Sequence, residues 1–431
     1  MKILLIGSGG REHALAWRLK QNPLVQLISA PGSSALATLG VCSPIAPDNI
    51  GALVAFAKRE KPDLTIIGPE LPLVLGLADL LRNEGLAVFG PSARAAQIEG
   101  SKVFAKDFMV RHNLPTASYA VFYDKEEAQQ YLEGASYPLV LKADGLAQGK
   151  GVVICGKLES ALKAVTELTK QQAGRRIIIE EYLAGEEISY FAFTDGHTIK
   201  PLPSAQDHKT IFDNDSGPNT GGMGAYSPAP LVNEHLNKTI LETIIKPTVM
   251  GLATEGSPFS GLLYAGLMIT LSGPKLLEFN ARFGDPETQA LMPLLKSDLA
   301  EILLAVAQNR LHETNIEWEK KTAATVVMSS AGYPGPYREG DLITGLDQAR
   351  ARENVFVFES GVEKRMEGTE LNSYTKGGRV LSVTALGDDL SLAVKNAYEA
   401  VQDISFKGAH YRRDIGGKGL RQSLLYDTET N

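Results

Sequence analysis

The chain has 431 residues, of which 22% are charged, 44% hydrophobic and 7% aromatic, and its formal net charge at pH 7 is -7. This composition excludes a disordered or collagen-like chain, and 2 cysteines exclude a disulfide-rich secreted scaffold. The acidic balance argues against a nucleic-acid partner, because non-specific binding to a polyanion requires a basic surface. The length predicts about two to four domains with clefts between them.

Neither a signal peptide nor a membrane span is predicted. The opening MKILLIG is too short an apolar run for a signal peptide, and no run approaches the ~18 apolar residues of a membrane span. Cys42 and Cys155 lack metal-like or redox spacing, which favours a reducing compartment. We therefore expect a cytoplasmic protein with no membrane partner.

The first ~115 residues have the pattern of a doubly wound parallel sheet. An apolar run at 2–6 ends in a glycine turn, and 7–19 follows with helical spacing. Strand-like runs at 64–68 and 86–90 flank a predicted helix at 71–83. This alternation is typical of a nucleotide-type α/β unit.

The sequence pattern changes after a predicted helix at 100–113, which Ser101 is placed to cap. Short strands around glycine loops at 137–155 and 175–193 flank a predicted helix at 159–171, which favours a small α+β lid. The long polar, Gly-rich and Pro-rich segment 205–230 is too large for a simple tether and is expected to be functional.

Two strands, 262–270 and 275–280, are predicted next, joined by a turn at Ser272-Gly273-Pro274. The remainder of the chain, from 322 onwards, mixes strands, Gly-rich turns and a predicted helix at 390–402. This pattern predicts a final mixed α/β domain.

A glycine cluster at Gly7, Gly9 and Gly10 could cradle a phosphate, because unpaired amides and the helix dipole favour an anion there. A dinucleotide fingerprint requires glycine where this chain has Glu12, so an NAD site is disfavoured. A small phosphorylated ligand is favoured, and a turn that serves packing alone is the alternative.

The second glycine cluster, 142–151, differs from a P-loop because three residues separate Gly145 from Gly149 and Gly151 follows Lys150. A Gly-rich loop between strands with lysines at both ends suits a mobile flap over a triphosphate. The alternative is a solvated hairpin turn.

The segment KLLEFNARFGDPETQ gives the most specific local indication of a binding site. Strand alternation predicts that Leu277 and Phe279 face one side while Glu278 and Asn280 face the other. Paired hard oxygens suit Mg²⁺, which completes its shell with water and phosphate oxygens. Arg282 has the same parity and would reach the same phosphate or a developing oxyanion. The alternative is a half-exposed strand with solvated polar residues.

The segment 177–189 predicts an apolar strand that leads into an acidic loop. Backbone groups of such a turn can bind a purine edge, and a nearby Glu can accept from ribose hydroxyls. The alternative, which this acidic composition alone favours, is a solvated turn with no ligand.

Several motifs in one order then suggest a family. They are GSKVFAKDFM, LVLKADG, GLAQGKGV, EEYLAGEE and EFNARFGDPETQ. Together they resemble the ATP-grasp carboxylate–amine ligases. The additional segments GSGGREHAL, IGPELPLVLG, FGPS, GPNTGGMGAYSPAP, AGYPGPY, GGRVLSVTALG and AHYRRDIG resemble the phosphoribosylamine–glycine ligase family.

The resemblance implies an α/β and α+β multidomain protein. It places an N-terminal doubly wound parallel-sheet domain at 1–118, an ATP-grasp lid at 119–193, an ATP-grasp body at 194–322 and a mixed α/β domain at 323–431. A monomer is expected. The implied reaction joins glycine to 5-phosphoribosylamine through glycyl phosphate, with ATP as co-substrate and Mg²⁺ or Mn²⁺ as the cofactor.

The resemblance also implies residue roles. The ATP site would contain Lys102, Lys142, Gly145, Gly149, Lys150, Gly151, Glu180, Leu183 and Glu187. The metal would be held by Glu278 and Asn280, and the catalytic cations would be Arg282 and Lys142. The sites for glycine and phosphoribosylamine would draw on Gly9, Gly10, Arg11, Glu70, Asp207, Asp213, Arg282, Lys376, Arg379 and Arg413. For Lys376, Arg379 and Arg413 the alternative is an ordinary surface residue.

Two features depart from the family pattern. The strand GLMIT lacks the acidic residue that often supplies a second metal ligand, and Thr210 stands where a basic residue is expected. His208 is more readily a structural residue than a general base. The alternatives are another ATP-grasp ligase of purine metabolism, a Rossmann oxidoreductase suggested by GSGG alone, and a non-catalytic ATP-binding protein.

Overall fold

The computed structural model describes residues 1–146, 151–170 and 176–422. The strands are β1 (Lys2–Gly7), β2 (Gln26–Pro31), β3 (Val41–Cys42), β4 (Leu64–Ile67), β5 (Val88–Phe89), β6 (Tyr119–Phe122), β7 (Leu139–Ala143), β8 (Val152–Cys155), β9 (Ile177–Glu181), β10 (Glu186–Asp195), β11 (Ile199–Pro201), β12 (Gln206–Asp207), β13 (Thr210–Phe212), β14 (Ser216–Asn219), β15 (Gly224–Ser227), β16 (Ser260–Thr270), β17 (Gly273–Asn280), β18 (Thr322–Ser329), β19 (Leu342–Ile343), β20 (Val355–Glu359), β21 (Val362–Glu367), β22 (Glu370–Thr375) and β23 (Arg379–Gly387).

The helices are α1 (Gly10–Leu19), α2 (Ile50–Glu60), α3 (Glu70–Val74), α4 (Leu77–Asn83), α5 (Ala93–Gly100), α6 (Lys102–Arg111), α7 (Lys125–Glu133), α8 (Leu158–Leu168), α9 (Glu234–Ile240), α10 (Lys246–Thr254), α11 (Glu287–Leu291), α12 (Leu299–Ala307), α13 (Leu346–Arg350) and α14 (Leu390–Asp403). A π-helical stretch (Leu241–Ile245) joins α9 to α10, and short 3₁₀ turns occur at Leu36–Thr38, Met292–Leu294 and Leu311–Glu313. In the described ranges no helix is both long and apolar enough to cross a membrane.

The N-terminal unit is the predicted parallel sheet, with strand order β3-β2-β1-β4-β5. Its central strands are continuous apolar runs because helices cover both faces, as in β1, where Ile3 to Ile6 are fully buried. The next helix, α6, is capped as predicted by Ser101, whose hydroxyl accepts a hydrogen bond from the Phe104 amide at 3.2 Å.

The lid is an antiparallel sheet of order β6-β9-β7-β8, backed by α7 and α8. A second antiparallel sheet has the order β11-β10-β16-β17. The predicted lid range 119–193 includes most of β10, yet β10 pairs along its whole length with β16. The structure therefore groups this strand with the body, and hydrophobic patterning alone could not reveal its partner.

The C-terminal unit is an antiparallel sheet of order β12-β15-β18-β23-β20, covered by α14. Two of its strands, β12 and β15, come from the polar, Gly-rich and Pro-rich segment 205–230, so this segment ties the middle of the chain to the C-terminal unit. Its β13–β14 hairpin is held by Arg412, whose guanidinium is fully buried and donates to Asp215 at 3.0 Å and to Asp414 at 2.7 Å. Although partial burial opposes it, hydrogen bonding from Arg412 lowers the pKa of Asp414 to about 2.

Three phenylalanines join the parallel sheet to the second sheet. Phe89, Phe193 and Phe283 are at most 2% exposed, and their ring centroids lie 5.8 to 6.1 Å apart. Because Phe283 directly follows Arg282, this cluster fixes the segment that carries a predicted catalytic residue. Aromatic packing of this kind resists relaxation when one ring is removed.

We expect Phe193→Ala to lower the free energy of unfolding by about 3–5 kcal/mol, because the cavity left between two packed sheets cannot collapse. Urea unfolding measured by tryptophan fluorescence checks this. Leu271→Ala is the control, since Leu271 is fully exposed and its loss should change stability by less than about 0.5 kcal/mol. Equal shifts for the two variants would contradict the role of the cluster.

Candidate active site

A β-bulge in β17 aims the predicted metal ligands into the cleft. The pairing of β16 with β17 shifts register between Gly266 and Leu267, and Leu277 is left without an opposing residue. The prediction that Leu277 shares the buried face is wrong, since Leu276 and Phe279 are buried whereas Leu277 is half-buried. Simple alternation overlooked the inserted residue. Glu278 and Asn280 lie together on the partly exposed side, as predicted.

Lys209 forms the centre of an acidic cluster around Glu278. Its ammonium is directly paired with Glu187 and lies 3.8 Å from the Glu278 carboxylate. Withdrawal from solvent favours a neutral lysine, but Glu187, Asp207 and Glu278 outweigh it and raise the pKa of Lys209. Sequence reasoning missed Lys209, although it lies two residues after the predicted Asp207 and shares its parity.

The electrostatic balance differs among the carboxylates of this cluster. Withdrawal from solvent would raise the pKa of Glu278, but Lys209, Lys142 and Lys102 outweigh it and hold that pKa below its usual value. Burial instead raises the pKa of Asp207 to about 8. The surrounding lysines therefore favour an ionised Glu278, which is the state that a cation requires.

Two predicted ATP-site lysines reach the cleft from opposite sides. Lys102, at the start of α6, donates to the Gly145 carbonyl at 2.8 Å. Lys142, on β7, lies 3.0 Å from a carboxylate oxygen of Glu180 and 3.4 Å from the carbonyl of the bulged Leu277. The bulge thus exposes a backbone acceptor that helps to hold Lys142.

The remaining predicted ATP-site residues are only partly described. Gly151 accepts a hydrogen bond from the Ala143 amide at 2.9 Å and so closes the base of the loop. Gly149 and Lys150 lie outside the described residues. Leu183 is half-buried in the connection between β9 and β10. The Glu180 side chain is 2% exposed, and its second oxygen, Oε1, is buried without a hydrogen-bond partner in the described structure.

Arg282 is held by two carboxylates of the N-terminal unit. Its guanidinium lies 3.0 Å from Glu99 and 3.3 Å from Glu70. Despite burial, these two carboxylates raise the pKa of Arg282. Burial raises the pKa of Glu99, and for Glu70 the attraction of Arg282 and Arg11 outweighs burial and lowers the pKa. Glu99 is a second residue that sequence reasoning missed, because its partner lies 183 positions away.

The N-terminal glycine turn is occupied by a side chain of its own helix. Glu12 accepts from the Gly9 amide at 2.8 Å and from the Arg11 guanidinium at 2.6 Å. A Cβ on Gly7 or Gly68 would overlap the Glu12 side chain. These glycines therefore make room for Glu12, and part of the predicted phosphate cradle is satisfied internally. Arg11 is also 8% exposed and directed inward, where it donates to the Phe283 carbonyl at 3.2 Å.

Gly10 contacts a different unit of the protein. A Cβ at this position would overlap Ser360 and approach Gln289 within 2.9 Å. Gly10 therefore allows α1 to pack closely against residues of the ATP-grasp and C-terminal units.

The predicted basic residues of the C-terminal unit separate into three environments. Arg379 donates to the carbonyls of Gly221 at 2.6 Å and Asp285 at 3.0 Å, and it pairs with the Asp285 carboxylate at 3.2 Å. Lys376 is exposed. Arg413 is exposed, and its backbone amide donates to Asp213 at 2.8 Å.

Asp213 and Arg413 line a cavity of about 450 Å³ together with Phe212, Ser216, Ala409, His410 and Tyr411. In the described chain, no hydrogen bond or ion pair links these two residues to Glu278 or Arg282. The structure thus brings Lys102, Lys142, Glu187 and Glu278 together, keeps Arg282 with Glu70, and places Asp213 and Arg413 apart from both groups.

These sheets, with a cation-lined cleft between lid and body, define the ATP-grasp class of fold. The chain is similar to the crystal structure of the phosphoribosylamine–glycine ligase from Thermotoga maritima, with a TM-score of 0.82 and 31% identity over 96% of this chain and 100% of that chain. It is similar in fold alone to a biotin carboxylase–β,γ-ATP complex from Campylobacter jejuni, with a TM-score of 0.71 and 16% identity over 95% of this chain and 92% of that chain. Family models described as the phosphoribosylglycinamide synthetase N, ATP-grasp (A) and C domains match residues 1–99, 100–288 and 323–418. The chain belongs to the phosphoribosylglycinamide synthetase family.

Curated relatives match over nearly the whole chain. The phosphoribosylamine–glycine ligase of Allochromatium vinosum is 51% identical over 428 residues, covering 97% of this chain and 99% of its own length. That of Escherichia coli strain K12 is 48% identical over 430 residues, covering 98% and 99%.

We expect Arg379→Met to loosen the loop that contains Gly221, because a charged donor to two carbonyls and a carboxylate is lost. Amide hydrogen exchange of peptides spanning 217–224 should accelerate by about tenfold or more. Arg352→Met is the control, since Arg352 is paired with Asp403 at the surface and should leave these peptides unchanged. Unaltered exchange in Arg379→Met would show that Arg379 does not restrain the loop.

Proposed function

We propose that the protein joins glycine to 5-phosphoribosylamine at the expense of ATP, giving N1-(5-phosphoribosyl)glycinamide, ADP and phosphate. This is the second step of de novo purine synthesis. The observation that carries the proposal is the cluster of four cations, Lys102, Lys142, Lys209 and Arg282, around the ionised Glu278. Membership of the family and the relatives' names support the choice of substrates.

The chemistry requires activation because a carboxylate at pH 7 is a poor electrophile. The glycine carboxylate attacks the γ-phosphorus of ATP, forming glycyl phosphate and releasing ADP. The neutral amine of phosphoribosylamine then attacks the glycyl carbonyl, and the C–O bond to phosphate breaks. The amine loses a proton, and inorganic phosphate leaves. Holding the reactants together makes each step effectively intramolecular.

The fixed cations meet the electrostatic needs of both steps. Lys102 and Lys142 bind the phosphate chain, and Lys209 neutralises charge near Glu278. Arg282 stabilises the acyl phosphate and the tetrahedral intermediate. Because Glu70 and Glu99 already hold the Arg282 guanidinium, little reorganisation is needed when negative charge develops.

Glu278 and Asn280 would hold Mg²⁺ or Mn²⁺. The fit rests on the bulge, which presents a carboxylate and an amide oxygen on the same open face, and on the low pKa of Glu278. The described residues contain no group of three or more acidic, His or Cys side chains that could form a closed metal cage. A site with few protein ligands suits a cation that shares phosphate oxygens. When bound, the metal supplies Lewis-acid stabilisation of phosphoryl charge.

The nucleoside would lie between lid and body. We assign the adenine edge to Glu180 and to the backbone at Leu183, and the ribose hydroxyls to Glu187. The buried, unpartnered Oε1 atom of Glu180 supports this assignment, since it requires a donor such as the adenine 6-amino group. Gly145, Gly149, Lys150 and Gly151 would cover the phosphates and exclude water from glycyl phosphate.

The other two substrates would lie beside the phosphate chain. We propose glycine near Arg282 and Asp207, next to the 217–224 loop. Phosphoribosylamine would lie by Gly9, Gly10 and Glu70, between the N-terminal and C-terminal units.

The internal contacts of Arg11 and Arg379 favour positioning roles for both residues. Lys376 is the better placed phosphate partner because it is exposed. Asp213 and Arg413 are weaker candidates because they line a separate cavity. A cytoplasmic monomer completes the proposal.

The direct test is ADP release by the purified protein with ATP and Mg²⁺, with glycine and freshly generated phosphoribosylamine added singly and together. We expect ADP only when both are present. Other amino acids and amines serve as matched substitutes. ADP formation with a different pair would keep the ATP-grasp chemistry and reject these substrates, whereas no ADP under any pairing would reject ligase activity.

A second test concerns the metal ligands. We expect Glu278→Gln to lower kcat by about 100-fold or more and to raise the Mg²⁺ concentration needed for half-maximal rate, because a neutral amide binds the cation weakly. The fold should persist, since the side chain is partly exposed and leaves no cavity. Glu370→Gln, an exposed site on β22, is the control. A magnesium titration identical to the wild type would remove Glu278 from the metal site.

A further inference from the structure

A buried charge triad lies between α6 and the lid, and one of its members, Lys106, was not singled out by sequence reasoning. Lys106 and Lys142 approach the same oxygen of Glu180, Oε2, each at 3.0 Å. The three residues are 2%, 6% and 2% exposed. Two ammonium groups share one carboxylate oxygen, so the triad carries one net positive charge in a region with little water.

The other oxygen of the Glu180 carboxylate takes no part in these contacts. Oε1 of Glu180 is buried and has no hydrogen-bond partner in the described residues. A desolvated carboxylate oxygen without a donor is costly, so its presence points to a missing partner. The partner must offer an N–H or O–H group. A purine 6-amino group satisfies this need because it donates a hydrogen bond. A 6-oxo group is itself an acceptor, so its oxygen would repel Oε1.

Lys106 is anchored on several elements at once. It follows Lys102 by one turn of α6, donates to the Thr116 hydroxyl at 2.8 Å and lies 5.8 Å from the Tyr119 ring centroid. Thr116 in turn donates to the Leu276 carbonyl of β17 at 2.6 Å. Lys106 therefore ties α6, the lid strands and the body together at Glu180. Burial lowers the pKa of Lys106 to about 8, with Glu180 opposing this shift.

We propose that Lys106 is a positioning residue for nucleotide-base selection: it holds Glu180 as an ionised acceptor with Oε1 directed at the purine 6-position, without touching the nucleotide itself. The inference rests on the proposed binding of the adenine base beside Glu180. It extends that proposal by naming the residue that fixes the preference for a 6-amino over a 6-oxo purine.

Lys142 cannot serve this purpose alone. Its ammonium also contacts the Leu277 carbonyl and is assigned to the phosphate chain. If Lys106 were removed, Glu180 could rotate about its single remaining cation, Lys142, and Oε1 would no longer be fixed toward the purine 6-position. A carboxylate oxygen that is free to turn away loses its hydrogen bond from a 6-amino group and no longer repels a 6-oxo group. Adenine binding should weaken while hypoxanthine binding is spared.

The experiment compares the binding of ADP and of inosine diphosphate, which differ at the 6-position, by titration calorimetry. We expect the wild type to bind ADP at least about tenfold more tightly, and Lys106→Met to reduce this preference by about tenfold or more. A merely structural Lys106 would weaken both nucleotides by the same factor. An unchanged ratio in Lys106→Met, or no preference in the wild type, would overturn the proposal.

Two further variants complete the design. If Lys106→Met does not fold, Thr116→Val removes the hydroxyl that anchors Lys106. A smaller preference for ADP over inosine diphosphate in Thr116→Val then supports the proposal, and an unchanged preference rejects it. Tyr119→Phe keeps the ring beside Lys106 and loses only the bond to Asp107, so its preference should equal that of the wild type. A narrowed preference in this control would overturn the specific role of Lys106.

Ligase activity of the wild type is assayed separately from nucleotide binding. Failure of the proposed reaction is thereby distinguished from failure of base selection. A wild type that prefers ADP but does not consume glycine would reject the reaction alone, and the binding comparison would still decide the role of Lys106.

Discussion

The architecture of the cleft depends on the need to give every charge withdrawn from water a partner. An unpaired buried ion costs several kcal/mol, so a side chain such as Arg282 is tolerated only where carboxylates meet it. Those carboxylates, Glu70 and Glu99, belong to the N-terminal unit, whereas Arg282 follows the last strand of the body. Glu180 of the lid is met in the same way by Lys106 from α6. Charge compensation therefore joins the units around the cleft.

The same compensation prepares the cleft for phosphoryl transfer. Cations that are already oriented by protein carboxylates need not reorganise when negative charge develops on the substrates, which is the main source of electrostatic catalysis. The partly exposed position of Glu278 keeps an ionised carboxylate available on the open face of β17, while Lys209 balances it from β12–β13. Apolar packing of Phe283 against Phe89 and Phe193 fixes the segment after β17 that carries Arg282. Packing and charge thus fix one geometry together.

Much of this could be predicted from local sequence patterns. The parallel sheet, the Ser101 cap and the shared face of Glu278 and Asn280 follow from hydrophobic periodicity and short-range rules. The bulge at Leu277 breaks the simple alternation and shows no local signal. The contacts of Glu99 and Lys106 cross between units, so they depend on tertiary packing that periodicity does not encode. For the same reason, the partner of β10 could not be deduced from its own residues.

In the proposed reaction, this cluster of charges activates the glycine carboxylate by phosphorylation. Glycine labelled with ¹⁸O in both carboxylate oxygens, turned over with ATP and phosphoribosylamine, tests it most directly by mass spectrometry of the released phosphate. We expect one ¹⁸O atom in each phosphate, because the carboxylate oxygen that attacks the γ-phosphorus leaves with it. Unlabelled phosphate accompanying amide formation would contradict activation through glycyl phosphate.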